Sequence, residues 1–304
     1  MSSPLPPSIR EIVEAIHRDH DSGAVSLARQ AAGAFRKLAN GAETTDANLR
    51  VQAETLGQLL IRAQPSMAPL SVLSGRCQNA CAATSPSTAR AALTQAVDDF
   101  LTQLSVSADR IATSAQEFIP DRATVLTISA SATVLHALQT ARQAGRTFRV
   151  VCTESRPQNE GVGFARAVAA SGIPVSLILD AALADVVPSA IIMVGADACT
   201  PAGIINKVGT HTLALLSGLY RSPCYALLGQ EKMLPQEWAT DLTIADQAAE
   251  EILPDPAPGV TVINRYFEFT PLHRFTGLVT DLGFLTPDEA LHRLEAMSAT
   301  DPLV

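Results

Sequence analysis

The sequence predicts an α/β protein in two parts: a helical domain over residues 1–120, then a doubly wound, mostly parallel sheet over residues 121–304. Two observations predict it. From Ile9 to about Phe118, apolar residues recur at three and four, as in Leu93, Val97, Phe100, Leu101 and Leu104. That is the period of helices with one buried face. From Ala123 the pattern changes to short β-rich runs that alternate with alanine-rich stretches. Most runs are continuously apolar, as expected of parallel strands covered by helices on both faces.

The helical part breaks at Gly41, at Gln64-Pro65 with Pro69, and at Ser85-Pro86. Proline fixes φ and lacks an N–H donor, so helices end there. The last helix is expected over residues 87–118, closed by Ile119-Pro120, and is a candidate to pack directly on the sheet. Strands are expected at residues 124–129, 148–153, 175–179, 190–194, 224–228 and 260–263. Helices at 161–171 and 207–220 lie between them.

Composition narrows the function classes. Of 304 residues, 47% are apolar and 17% charged, which gives a large core and excludes a disordered chain. The net charge of -8 argues against non-specific nucleic-acid binding, which needs a basic field. No apolar run reaches the roughly 18–20 residues that span a bilayer. The stretch MSSPLPPSIREIVEAIHRDHD has no basic head followed by an apolar block, so no signal peptide is expected. Cys77, Cys81, Cys152, Cys199 and Cys224 suit buried free thiols in a reducing cytoplasm, the expected location. Cys77 and Cys81 are four apart on an expected helix, but no matching pair follows at zinc spacing, so no metal site is expected.

In an open parallel sheet, ligands bind at the carboxyl ends of the strands. The first strand is followed by Ser129-Ala130-Ser131-Ala132-Thr133, a small-residue turn whose hydroxyls and N–H groups suit an anion. The next ends carry Glu154-Ser155-Arg156-Pro157 with Gly161, then Asp180. They are followed by Gly195-Ala196-Asp197 with Gly203, Asn206, Lys207 and Gly209, then by Gly229 and Lys232. Plainer readings stand beside these. Asp180 could cap a helix, Glu154 and Arg156 could pair, and Asn206 could be a cap. Lys207 could be a solvated charge, and Cys152 and Cys224 core residues. A carboxylate after a buried apolar strand, as Asp197 is, is capping, paired or functional. The chain has no G-x-S-x-G elbow and no G-x-G-x-x-G after a strand, so ordinary dinucleotide binding is not expected.

The strings ESRPQNEG (154–161), GIPVSLILDAA (172–182) and GADACTPAGIINKVGT (195–210) resemble the family of translation initiation factor 2B alpha, beta and delta subunits. That family also contains methylthioribose-1-phosphate isomerase and ribose-1,5-bisphosphate isomerase. SGAVSLARQAA (22–32), QPSMAPL (64–70) and FEFTPLHRFTGLVTD (267–281) extend the match. The resemblance implies a Rossmann-like domain behind a helical one, in a homodimer or higher assembly. It implies a cleft for a phosphorylated sugar or nucleotide, and aldose–ketose isomerisation without metal or nicotinamide. By resemblance, Asp197 is one acid–base group; Asn206, Lys207 and Lys232 hold substrate; and Gly23-Ala24 approaches phosphate. Ser131 and Arg156 complete the expected binding set.

Three positions depart from the family. Ser129 stands where the isomerases have a cysteine, and a hydroxyl is a far weaker acid than a thiol. Ser22 and Gln64 stand where two arginines meet phosphate, so two charge-assisted contacts are missing. Arg18, Arg62 and Arg76 are the cations that could replace them. Three readings therefore stay open: an isomerase with Asp197 and Ser129 at its centre, a non-catalytic binding relative, and altered chemistry on a less phosphorylated substrate.

Overall fold

A computed structural model describes residues 5–20, 22–41, 44–239 and 242–297. Residues 1–4 and 21 of the N-terminal stretch read above lie outside these. Five helices come first: α1 (Pro7–Arg18), α2 (Ala24–Asn40), α3 (Asp46–Ala63), α4 (Ala68–Ala82) and α5 (Pro86–Ala115). α2 shows why they pack. Leu27, Ala28, Ala31, Ala32, Phe35 and Leu38 fall on one face, and all are fully buried. α4 and α5 each carry proline in the first turn, where its missing N–H costs no helical hydrogen bond. α5 continues through a 3-10 turn to Phe118.

The second part runs β1 (Ala123–Thr127), α6 (Ala132–Gln143), β2 (Phe148–Thr153), α7 (Glu160–Ala170), β3 (Val175–Ile178), the single turn α8 (Leu183–Val186) and β4 (Ile191–Val194). It continues through β5 (Ala198–Thr200), β6 (Gly203–Lys207), α9 (Thr210–Tyr220), β7 (Cys224–Leu227), the short α10 (Gln236–Ala239), β8 (Phe267–Thr270), β9 (Gly277–Thr280), β10 (Gly283–Leu285) and α11 (Pro287–Ala296). The main sheet has the order β10-β9-β7-β4-β1-β2-β3. All its neighbours are parallel except β10 against β9. The chain leaves β1 toward β2 and β3, then returns to set β4 on the other side of β1. That reversal makes the carboxyl ends of β1 and β4 a topological switch point.

Two expectations are corrected. Residues 260–263 form no strand; Val260 is 51% and Ile263 71% exposed. The place beside β7 belongs to β9, whose four residues are all buried. Residues 195–210 are not a loop before a helix. They contain the hairpin β5–β6, which β8 extends to a three-stranded antiparallel sheet. Lys207 therefore ends a strand, and α9 starts only after Gly209, whose φ of 104° breaks the chain direction. Ala198, Ile205 and Leu234 join the core of the N-terminal helices, so the small sheet lies against them.

Candidate functional site

A cleft of about 290 Å³ opens where the N-terminal helices meet the carboxyl ends of β1 and β4. Its lining brings together Gly23, Ala24, Ser129, Ser131, Asp197, Asn206, Lys207 and Lys232. Arg156 is not among the lining residues. Its side chain is exposed, and its backbone N–H donates to Asp180 Oδ2 at 2.8 Å. Asp180 also accepts from Ser155 N at 2.9 Å, so it fastens the loop after β2 rather than capping a helix.

Close approaches build the floor. Gly195 follows β4 and faces the start of α6, where an added Cβ would lie 2.5 Å from Oγ and 2.8 Å from Cβ of Ser131, so any larger residue would have to push that side chain aside. Ser131 N-caps α6 by accepting from Val134 N at 3.3 Å. The next residue but one, Asp197, is held by its backbone. Its N–H donates to Ile205 O at 2.8 Å, and its carbonyl accepts from Ala68 N at 3.0 Å. The hairpin and the start of α4 thus fix Asp197 from both sides. Gly23, the N-cap of α2, lies close to Ala130 O, which brings the helical part to the end of β1.

The charges are grouped. Lys207 Nζ contacts Glu160 Oε1 at 2.8 Å, with 4% and 13% of the two side chains exposed. The same Oε1 accepts from Ser129 Oγ at 2.8 Å, while Oε2 is buried with no partner among the described residues. Ser129 has a φ of 67°, an uncommon conformation for a side-chain-bearing residue, and its N–H donates to Ser155 Oγ at 2.8 Å. Lys207 also lies 5.4 Å from the centre of the Tyr266 ring. Asn206 Nδ2 donates to Thr210 Oγ1 at 2.9 Å, which in turn donates to Lys207 O at 2.7 Å. Burial pushes the Asp197 carboxyl up to about 6. Lys232 opposes that rise, Glu160 adds to it, and Lys207 opposes it. A carboxyl titrating near 6 is suited to giving and taking protons near neutral pH.

The two departures at the helical end also find places. Gln64 Nε2 donates to Ile16 O at 2.8 Å and to Asp19 O at 3.0 Å, so its amide ties down the end of α1. Ser22 N–H donates to Asp19 Oδ1 at 2.8 Å. Of the three possible replacement cations, Arg62 lines the cleft. Arg18 is exposed beside Glu14, and Arg76 lies over the Phe100 ring at 5.6 Å. Burial lowers the Arg76 pKa. Sequence reasoning missed Glu160, Tyr266, His17 and His20, all of which line the cleft. Glu160 was within reach, since it lies inside the string 154–161. Among the described residues, no group of three or more His, Cys, Asp or Glu is placed to hold a metal ion. All five cysteines are free and buried.

Fold and site together define a Rossmann-like α/β protein with a carboxylate–lysine cleft at the switch point of its sheet. The chain belongs to the Initiation factor 2 subunit family, whose sequence pattern matches residues 20–287. It is 30% identical to an eIF-2B subunit 2-like protein of Pyrococcus horikoshii, over 93% of this chain and 98% of that one. It is 27% identical to a ribose 1,5-bisphosphate isomerase of Methanocaldococcus jannaschii, over 94% of each chain. Among solved structures, a translation initiation factor eIF-2B of P. horikoshii OT3 superposes with a TM-score of 0.82 at 29% identity, over 93% of this chain and 98% of that chain. A 5-methylthioribose 1-phosphate isomerase of the same organism shares the fold, with a TM-score of 0.77 at 22% identity over 94% and 87%. No described helix is long and apolar enough to cross a membrane.

Proposed function

We propose that this protein is an aldose–ketose isomerase acting on a phosphorylated pentose or a related sugar. The observation that carries the reading is Asp197: a cleft carboxyl whose pKa is raised to about 6 by burial, between two buried lysines. Opening a sugar ring and shifting its carbonyl needs a group that gives a proton to oxygen near neutral pH, in a place shielded from water. Asp197 supplies the proton. Lys207 and Lys232 hold sugar or phosphate oxygens, with Gly23, Ala24, Ser131 and Asn206 shaping the wall around them. The isomerase relatives support this choice of substrate class. The reaction so written uses no metal or nicotinamide, and the protein acts in the cytoplasm as a homodimer or higher assembly.

A second reading, a non-catalytic sugar-phosphate or nucleotide binder, draws on Ser129 in place of a thiol and on the two uncharged residues Ser22 and Gln64. A panel of pentose 1-phosphates, followed by NMR for ketose formation, separates the two. Turnover that vanishes in Asp197→Asn supports the isomerase. Thermal stabilisation by the same sugars without turnover favours the binder.

A further inference from the structure

Glu160 has an arrangement that a merely structural ion pair does not require. It is the first residue of α7, and its carboxylate reaches into the cleft beneath Ser129. Oε1 accepts from both Ser129 Oγ and Lys207 Nζ, each at 2.8 Å. Oε2 has no partner among the described residues and is closed off from solvent. A buried acceptor left without a partner costs stability, so a folded protein that keeps one calls for a reason, and a catalytic role is one of them. The Gly161 that follows cannot give way. A Cβ there would lie 1.8 Å from Thr153 O, so α7 is pressed onto the end of β2 and Glu160 is fixed in place.

We propose that Glu160, acting through the Ser129 hydroxyl, is the base of this site and the partner of Asp197. The proposal rests on the isomerase reading. The proton of a sugar hydroxyl passes to Ser129 Oγ as the Ser129 proton passes to Glu160 Oε1. One O–H bond breaks on the sugar and one forms on serine; one breaks on serine and one forms on the carboxylate. Asp197 gives its proton to the ring oxygen as the bond from that oxygen to C1 breaks, which leaves C1, still bonded to the phosphate oxygen, short of an electron pair. The oxygen on C2, now carrying the charge, closes to a carbonyl as the hydrogen on C2 moves to C1 with its electron pair. The two carboxyl groups end with exchanged protonation states, and solvent or a return transfer resets them. Serine thus needs no thiol-like acidity, because it never holds a charge; it hands on one proton as it receives another. The charged and titratable groups around this relay are Lys207 from β6, Asp197 after β4, Lys232 after β7 and Tyr266 before β8.

The test is steady-state kinetics on the best substrate of the pentose phosphate panel, across pH, for wild type, Glu160→Gln, Ser129→Ala and the double variant. Glutamine keeps an oxygen that accepts from Ser129 and Lys207 but cannot take the proton. Its kcat is expected to fall about 100-fold or more with KM changed less than about threefold, the size of a lost acid–base step. Ser129→Ala, which leaves the Glu160–Lys207 pair intact, is expected to fall comparably. The double variant should be no slower than the slower single variant, because members of one relay are not additive. Wild-type turnover with Glu160→Gln within threefold of it, or losses that multiply in the double variant, overturns the relay and leaves the isomerase reading standing. A wild type that turns over none of the sugars overturns both.

Discussion

Asp197 carries opposed consequences for activity and stability. Its carboxyl is raised from 3.8 to about 6, chiefly by burial, a difference worth roughly 3 kcal/mol. The folded protein therefore holds this proton more tightly than the unfolded chain does. The stability that follows is fully present below pH 4 and is lost as pH rises through 6. Asp197→Asn never ionises, so its melting temperature relative to wild type should climb between pH 4.5 and pH 8, while turnover disappears. A difference in melting temperature that is the same at both pH values would refute the buried-charge account. Lys207 has the reverse balance. Lys207→Ala leaves Glu160 buried without its cation, so it should cost about 3–5 kcal/mol in denaturant unfolding. It should also weaken sugar-phosphate binding by about tenfold or more in calorimetry; unchanged affinity would remove Lys207 from the binding set. At this scale the sequence was readable where a charged residue lies within a few residues of the carboxyl end of a buried strand, as at Asp197 after β4 and Lys232 after β7. It hid Glu160, because an acidic residue in the first turn of a helix is ordinary and favourable there whatever it faces. It also suggested Arg156, whose side chain is exposed although its backbone belongs to the strand-end loop.

Elements are placed by the points where the chain comes too close for a side chain. Gly161 sets α7 on the backbone at the end of β2, and Gly195, just after β4, sits against the Ser131 side chain at the start of α6. Gly161→Ala forces α7 off Thr153 and moves Glu160 with it. The expected cost is about 1–3 kcal/mol, as for overpacking elsewhere, with a larger proportional loss of activity than of stability. Activity that survives at wild-type level in a measurably destabilised Gly161→Ala would show that the position of α7 does not matter to the site. The alternation of apolar runs and alanine-rich helices was enough to find the sheet, because covered parallel strands must be apolar throughout. It failed at residues 260–263, where a β-branched run has no neighbour to pair with. It also failed at β5–β6, where strands of three and five residues carry Asn206 and Lys207 and so break the apolar pattern. Short strands paired in a second, smaller sheet leave too little periodicity to read.

The molecule as a whole is coupled through α5. Leu93, Val97, Phe100 and Leu104 lie in the core of the N-terminal helices, while Ile111, Ala112 and Ala115 lie in the core on one face of the main sheet. One unbroken helix of 30 residues therefore belongs to both cores. We propose the border near residue 120 as the division between a helical and an α/β domain, and this shared helix as the reason the two unfold together. The chain carries a reporter for the junction. Its single tryptophan, Trp238 of α10, lies over Gly75 of α4, where an added Cβ would come within 2.6 Å of the ring. Trp238 fluorescence then follows contact between the two parts, and far-UV circular dichroism follows all helices. In denaturant the two signals should give coincident transitions, the mark of a single cooperative unit. Phe100→Ala, at a side chain only 1% exposed, should lower stability by about 3–5 kcal/mol and move both transitions by the same amount. The cleft is closed by residues from both parts, with Gly23 and Ala24 on one side and Asp197 and Lys207 on the other. Its integrity, and so ligand binding, should be lost in that same step. Fluorescence that changes at lower denaturant than the helical signal would mean that the two parts separate first, and that α5 does not hold the cleft together.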